Sequence, residues 1–306
     1  MQVHRSLASL PSFRNAVITI GTFDGVHLGH QKIIAALLEE ARRVQGESVI
    51  ITFHPHPRKV VHPDQSLQLI NSLEERIELL QQKGLDHLVI VPFTKEYSEQ
   101  SAETYIEKFL IAHFRPHTII IGYDHHFGKN RTGNFRLLEE KAPTFGYHLQ
   151  EVPKHILDEI GISSTKIRAA LHHSQVETAG KLLGYDFFFE GRVVPGDKLG
   201  RQLGYPTANL EYTDADKIRL GEGVYAVYVT LGGTQYKGMM SIGKRPTLND
   251  TVEKVEVNLF DFEGDLYGQI LRVTVKKYLR GQEKYHSLEA LTAQISQDKL
   301  DSLAVL

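Results

Sequence analysis

The sequence contains no cysteine among its 306 residues. This absence excludes disulfide bonds, thiolate metal ligands and a cysteine nucleophile, and nothing indicates an oxidising compartment. No apolar run approaches the roughly 18 residues that a membrane-spanning helix needs. The opening stretch MQVHRSLASLPSF lacks the continuous apolar segment of a secretory signal. We therefore expect a cytoplasmic protein that does not bind to or span a membrane.

The chain also lacks an excess of charge of either sign. It carries 35 Lys and Arg against 37 Asp and Glu, a formal net charge of −2, with the basic residues spread along the chain. This distribution argues against a nucleic-acid partner and requires any bound anion to be held by local charge. A chain of 306 residues is longer than one hydrophobic core usually serves, so we expect two domains. The oligomeric state is left open.

Short apolar runs recur through the first half of the chain, at 16–21, 48–53, 87–92, 117–122 and 147–152. Helical periodicity lies between them, at 32–44, 73–83, 102–113 and near 134–141. Ser72 and Glu75 form a capping box, which predicts that the second helix begins at residue 73. Strands that alternate with helices predict an α/β domain with a parallel sheet covered on both faces.

The second half has a different pattern. A helical stretch at 164–183 ends at Gly184, and alternating β-branched and aromatic residues follow. Gly232 and Gly233 separate two of these runs and predict a tight hairpin, whose central residues take positive φ. A closing helix is predicted from Ser287. We expect a β-barrel or sheet with a C-terminal helix, and we place the domains at 1–184 and 185–306.

The stretch GTFDGVHLGH (21–30) joins the first strand to the first helix. Its glycines, Gly21, Gly25 and Gly29, let the backbone approach a ligand where free N–H groups favour an anion. His27 and His30 are spaced to face the same side of the first helical turn and to donate to phosphate oxygens. The stretch therefore indicates a phosphate site, although a strand–turn–helix junction can need glycines for structural reasons alone.

The same stretch resembles the nucleotide-binding motif of the nucleotidyltransferase superfamily, in the version found in bacterial FAD synthetases. The agreement continues in order through TFHPHP (52–57), IIIGYDHHFGKNRTGN (119–134) and ISSTKIR (162–168). The resemblance implies that FMN attacks the α-phosphorus of ATP to give FAD, and that His27 and His30 hold the ATP phosphates. It implies an ATP- and phosphate-binding set of Gly21, Phe23, Asp24, Gly25, Gly29, Ser163, Ser164, Thr165 and Arg168. It also implies a flavin- and nucleotide-binding set of His56, Asp124, Phe127 and Arg131.

Two other interpretations of these motifs and of the histidines are a helix-capping role and a zinc site. Serine and threonine just before a helix also cap it, so the Ser163–Thr165 run can be purely structural. Sixteen histidines invite a zinc site, but no cysteine and no His-Glu-x-x-His helix supports one.

The stretch GRVVPGDKLGRQLGYPTANL (191–210) surrounds basic residues with glycines and lacks the Gly-Lys-Ser ending of a P-loop. Taken alone it also fits a glycine-rich turn region. It resembles the riboflavin kinase motif, and the family order continues through GVYAV (223–227), IGKRPT (242–247), VEVNLFDFEGDLYG (255–268) and the segment from residue 279 to 298. The resemblance implies ATP binding by Gly191, Lys198, Gly200, Arg201 and Gly204, and Mg²⁺ binding by Thr207 and Asn209.

The same resemblance implies that Glu256 is the catalytic base that removes the proton from the riboflavin 5′-hydroxyl, and that Arg280 contacts flavin or phosphate. A glutamate in an alternating strand is otherwise more often a solvated outward residue. The chain departs from the family pattern at Ser241, Leu248, Asn258 and Gln282, which bears on flavin affinity more than on the reaction.

These resemblances predict a bifunctional enzyme that uses ATP and Mg²⁺, phosphorylates riboflavin to FMN and adenylylates FMN to FAD. One alternative is a member that retains only one of the two reactions. Another is a flavin- or nucleotide-binding regulatory module that also contacts RNA through Lys129, Arg131 and Arg136.

Overall fold

The computed structural model describes residues 1–153, 161–196, 199–244 and 253–306. The chain divides into two compact units, residues 1–67 with 71–163 and residues 68–70 with 164–306. The helices between Ser164 and Leu183, which the sequence analysis placed with the first half, group with the second unit. The second of these helices packs there on a barrel strand, and Ser174, between the two helices, accepts a hydrogen bond from the hydroxyl of Tyr225. The functional boundary near Gly184 stays a prediction.

The first unit contains a parallel sheet, as the alternation of strands and helices predicts. Its strands are β1 (Gln2–His4), β2 (Val17–Ile20), β3 (Ser48–His54), β4 (His87–Pro92), β5 (Thr118–Gly122) and β6 (His148–Val152), in the order β1-β4-β3-β2-β5-β6. All four residues of β2 are buried, so both faces of the central sheet are covered. The α/β prediction for this half is confirmed.

The helices of the first unit are α1 (Leu28–Arg43), α2 (Pro57–Val61), α3 (Leu73–Gln81), α4 (Lys95–Ser98), α5 (Ala102–Thr104), α6 (Ala112–Phe114) and α7 (Phe135–Phe145). The capping box of Ser72 and Glu75 is present at the start of α3. Helix α1 begins earlier than its periodicity suggested, because His27 caps it. The predicted helix at 102–113 is interrupted, since Tyr105–Ile111 form a π-helix between α5 and α6.

The second unit begins with the helices α8 (Ser164–His172) and α9 (Val176–Leu183). Its strands are β7 (Phe188–Val194), β8 (Ala208–Tyr212), β9 (Gly223–Leu231), β10 (Thr234–Lys244), β11 (Glu253–Leu259) and β12 (Ile270–Arg280), which form a closed barrel in the order β10-β11-β8-β7-β12-β9. Two further helices are α10 (Leu199–Gln202) and α11 (Leu288–Val305). Gly232 and Gly233 form the predicted hairpin with φ of 55° and 87°. The β-barrel prediction is confirmed.

Strand β11 shows how the barrel presents polar groups. Val255 and Val257 are buried, while Glu256 and Asn258 lie on the opposite face of the strand because side chains alternate. Glu256 pairs with Asn209 of β8 and with Ser241 of β10, so these side chains share that face.

Candidate active sites

The turn between β2 and α1 has positive φ angles at a glycine and also at two residues that are not glycine. Gly25 has φ of 90°, which glycine adopts without cost, but Phe23 and Val26 also have positive φ, at 49° and 37°. The amide of Gln31 donates to the carbonyl of Val26 at 2.9 Å and holds the turn against α1. A Cβ added at Gly29 would lie 3.2 Å from the His27 ring, so this glycine makes room for the histidine.

His27 and His30 do lie together, but not as two residues of one helical turn. His27 precedes α1 as its N-cap, and its Nδ1 accepts the backbone N–H of His30 at 3.2 Å. The two rings stack with centroids 3.6 Å apart. Nδ1 of His30 is buried with no partner among the described residues. Burial, with smaller contributions from His27 and Arg76, lowers the pKa of His30 well below its ordinary value.

Beneath the turn lies a buried polar cluster that the sequence analysis missed. Asp24 is 2% exposed, and one of its oxygens accepts the backbone N–H of Asn71 at 3.2 Å. The Arg76 guanidinium, 3% exposed, donates to the carbonyl of Thr22. Burial lowers the pKa of Arg76, and the nearby Asp24 carboxylate opposes that shift. A long-range contact of this kind leaves no sequence signal beyond an arginine in α3.

His56 is also a capping residue. It is 7% exposed and precedes α2, where its Nδ1 accepts the backbone N–H of Arg58 at 3.1 Å. The flavin contact expected of His56 stays a prediction.

The loop after β5 contains Asp124, Phe127 and Arg131. Asp124 and Arg131 are exposed, whereas Phe127 is buried. The Phe127 ring stacks on Tyr105 of the π-helix at 5.0 Å, and a Cβ at Gly133 would lie 2.4 Å from that ring. The buried Phe127 side chain therefore anchors the loop, while the charged side chains of Asp124 and Arg131 are exposed.

The ISSTKIR motif is divided between the two units. Ser163 ends the first, while Ser164, the first residue of α8, and the exposed Thr165 belong to the second. Arg168 is half-buried and donates from Nε to the carbonyl of Gln68 at 2.8 Å. The phosphate roles of these residues stay predictions.

In the second unit, glycines bring the backbone against the side chains expected to bind Mg²⁺. A Cβ at Gly196 would lie 2.0 Å from the Asn209 amide, and one at Gly200 would lie 3.2 Å from the Thr207 hydroxyl. Only glycine permits the first approach, and at Gly200 the Tyr205 carbonyl oxygen, 2.2 Å from such a Cβ, excludes any other residue. Lys198, expected to bind ATP, lies outside the described residues.

The other residues of that motif have distinct surroundings. Gly191 lies in β7, where a Cβ would meet the Leu210 side chain at 3.0 Å, so packing between strands explains this glycine. Gly204 has φ of 80° in a turn. Arg201 is exposed.

Glu256 faces Asn209 and Ser241 across the barrel strands. The amide of Gln282 donates to the hydroxyl of Ser241 and to the carbonyl of Ile242, each at 2.9 Å. Two of the departures from the family pattern, Ser241 and Gln282, are therefore bonded to each other beside the candidate base.

Arg280 is engaged within the protein. Its Nε and Nη2 donate to the two carboxylate oxygens of Asp298 in α11 at 2.7 and 2.6 Å. The Asp298 side chain is only 4% exposed. This bidentate ion pair raises the pKa of Arg280. A flavin or phosphate contact by Arg280 stays a prediction.

The residues present fit a magnesium ion. Thr207 and Asn209 supply a hydroxyl and an amide oxygen, the hard donors that Mg²⁺ prefers, beside backbone that only glycine can form. No cluster of three His, Cys, Asp or Glu able to hold a metal occurs in the part of the chain that the structure describes. None of the helices in that part is long and apolar enough to cross a membrane.

Comparison with known protein families assigns the first part of the chain to one family and the second part to another. Residues 10–166 match the FAD synthetase family and residues 183–306 match the riboflavin kinase family. A bifunctional riboflavin kinase/FMN adenylyltransferase of Escherichia coli is 35% identical over 93% of this chain and 90% of its own length. One from Pseudomonas fluorescens is 36% identical over 97% of this chain and 96% of its own.

A solved structure described as a macrolide-efflux protein from Streptococcus pneumoniae is 31% identical, with a TM-score of 0.86 and 98% of each chain covered. The two family matches and the curated relatives cover nearly the whole chain. The chain therefore belongs to the family of bifunctional riboflavin kinase/FMN adenylyltransferases.

Proposed function

We propose that the two reactions of the family are divided between the two units, with the residue roles described below. The chain is a transferase that phosphorylates riboflavin to FMN with ATP and adenylylates FMN to FAD with a second ATP. The observation that supports the division is the same in each unit. A glycine-containing backbone turn lies directly against His27, which is expected to hold ATP phosphates, in the first unit, and against Thr207 and Asn209, which are expected to bind Mg²⁺, in the second.

In the first unit, an FMN phosphate oxygen forms a bond to the α-phosphorus of ATP and diphosphate leaves with the electrons of the broken bond. The nucleophile is already ionised at neutral pH, so positioning and charge stabilisation supply the catalysis. His27 and His30 serve as phosphate donors at the start of α1, where the helix dipole also favours an anion. Asp24 and Arg76 hold the turn that places them. The diphosphate-binding role of Ser163, Ser164, Thr165 and Arg168 is proposed from the family resemblance alone, since only Ser163 groups with the first unit.

In the second unit, the riboflavin 5′-hydroxyl must lose a proton as it bonds to the γ-phosphorus of ATP and ADP leaves. Glu256 is proposed as the base, because it lies beside Asn209 on the polar face of the barrel. Thr207 and Asn209 would hold Mg²⁺. When bound, that ion neutralises charge that develops on the phosphate oxygens. Gly196 and Gly200 let the backbone approach those side chains closely.

We also propose a cytoplasmic location, consistent with the absence of cysteine. Riboflavin, FMN and ATP are sufficient partners for both reactions.

The test is a time course with purified protein, riboflavin, ATP and Mg²⁺, in which flavins are separated by chromatography. FMN should appear first and FAD should follow at its expense. FAD that forms only when FMN is supplied would contradict the assignment of the kinase reaction. Tight flavin binding without any product would instead favour the regulatory module.

A further inference from the structure

Asn258 of β11 is bonded to the segment that carries the expected magnesium ligands. Its Nδ2 donates to the carbonyl of Pro206 at 2.6 Å, and the side chain is 5% exposed. A buried amide that donates to a carbonyl 52 residues earlier in the chain fixes the distance between two separate elements. The contact lies on the same strand face as Glu256.

The bonded carbonyl belongs to the peptide that leads into Thr207. A peptide unit is planar, so fixing the Pro206 oxygen also fixes the direction in which the Thr207 backbone leaves it. The side-chain oxygen of Thr207 lies beside Gly200, where a Cβ would approach it to 3.2 Å. A small rotation of this peptide would therefore move the Thr207 hydroxyl relative to the glycine-rich turn.

A second bond holds the preceding residue from another direction. The hydroxyls of Tyr205 and Ser296 are hydrogen-bonded at 2.8 Å, which ties the segment to α11. The backbone N–H of Tyr205 also donates to the carbonyl of Gly200 at 2.8 Å. The segment is thus held at Tyr205 from the helix side and at Pro206 from the barrel side.

We propose that Asn258 is a positioning residue for the kinase reaction: its bond to Pro206 sets the placement of Thr207, and through it the binding of magnesium–ATP. The inference rests on the proposed kinase role of the second unit. Asn258 does not contact the flavin in this account, so its loss should weaken magnesium–ATP use and leave riboflavin binding intact.

The test compares Asn258→Leu with Asn258→His in the full-length protein. Leucine has a similar shape but donates no hydrogen bond, whereas Nδ1 of histidine is, like Nδ2 of asparagine, two bonds from Cβ and can donate. In Asn258→Leu, the kcat/KM for magnesium–ATP in riboflavin phosphorylation should fall about tenfold or more, mainly through KM. The KM for riboflavin should stay within about twofold of the starting protein, and Asn258→His should recover most of the loss.

A second readout does not depend on activity. The backbone N–H groups of Leu203, Gly204 and Tyr205 are all hydrogen-bonded in the turn that precedes Pro206. Hydrogen exchange at these amides in the ligand-free protein should be about tenfold faster in Asn258→Leu and close to normal in Asn258→His. Asn258→Asp, which has the shape of asparagine and no donor when ionised, should behave like Asn258→Leu and serves if the leucine variant does not fold.

Tyr225→Phe is the matched control, because its hydroxyl bonds to Ser174 and to the carbonyl of Gly221 elsewhere in the same unit. It should change neither readout. The inference is overturned if Asn258→Leu folds with unchanged kinetics and exchange, or if Tyr225→Phe produces the same changes. FMN adenylylation with supplied FMN should be normal in every variant. A starting protein without kinase activity would instead contradict the proposed function.

Discussion

His27 accepts the backbone N–H of His30 at Nδ1, while the two imidazole rings stack 3.6 Å apart. A ring nitrogen that accepts a hydrogen bond carries no proton, so the neutral His27 ring bears its proton on Nε2. Nδ1 therefore caps α1, and Nε2 is the ring nitrogen that would donate to a phosphate oxygen under the proposed function. The capping role of His27 is observed, and its phosphate-binding role stays a proposal that would use the other ring nitrogen.

The substitution His27→Asn separates the capping role of His27 from its proposed phosphate-binding role. His27→Asn keeps a capping oxygen and loses the Nε2 donor, whereas His27→Ala loses both. FAD formation from FMN should fall about a hundredfold or more in each variant. Only His27→Ala should also lose about 1 kcal/mol in the free energy of unfolding. Denaturant unfolding measures the effect on stability, and product analysis measures the effect on FAD formation. Normal FAD formation by His27→Asn would show that His27 serves only as the N-cap of α1.

Arg76 is expected to act through the turn at Thr22–Asp24. Arg76→Met should lower the free energy of unfolding by about 3 kcal/mol, because it removes a buried cation beside the Asp24 carboxylate. It should also slow FAD formation, while FMN formation by the second unit stays normal. Arg76→Lys, which keeps the charge but not the planar guanidinium, should be intermediate. A folded Arg76→Met protein with full FAD synthesis would rule out this role.

Sequence reasoning recovered the features that depend on local pattern. Gly232 and Gly233, the Ser72–Glu75 box and strands β2 to β6 of the first sheet all follow from spacing between near neighbours, whereas β1 was not predicted. It missed what depends on distant residues, such as Arg76 at Thr22. It also placed the start of α1 too late, because a histidine N-cap is not among the usual capping residues.

The candidate site residues show the same difference between what local pattern predicts and what long-range contacts determine. The motifs identified His27 and His30, but only the fold shows that Gly196 and Gly200 lie against Asn209 and Thr207. The ion pair of Arg280 could not be predicted, since Asp298 belongs to a helix whose buried residues are polar. Such a helix carries little periodic signal to show which face is packed.

The Arg280–Asp298 pair supports a prediction that distinguishes stability from flavin binding. Arg280→Met leaves a buried carboxylate without its cation and should cost about 3–5 kcal/mol of unfolding free energy. Arg280→Met combined with Asp298→Leu should recover most of that loss. If Arg280 also contacts flavin, the double variant will be stable but keep a raised KM for riboflavin. A normal KM in the double variant would make Arg280 purely structural.

His125 predicts a pH dependence of stability. Burial, followed by repulsion from His126 and Arg131, lowers the pKa of His125 from 6.5 to about 4. The unfolded chain therefore binds a proton at a higher pH than the folded protein does. The contribution of His125 to the free energy of unfolding is therefore fully present above about pH 6.5, and it is lost as the pH falls toward about 4.

His125→Gln should remove this part of the pH dependence, about 3 kcal/mol across that window. Denaturant unfolding at several pH values measures it, with the exposed His126→Gln as the matched control. An unchanged pH profile in His125→Gln would show that the residue is not held neutral.

The central claim, that each unit carries one reaction, is tested most directly by mixing two inactive variants. With riboflavin, ATP and Mg²⁺, His27→Asn should accumulate FMN without FAD, and Glu256→Gln should form neither product yet make FAD from supplied FMN. An equal mixture of the two proteins should convert riboflavin to FAD. A variant that loses both reactions, or a mixture that makes no FAD, would contradict the division of function between the units.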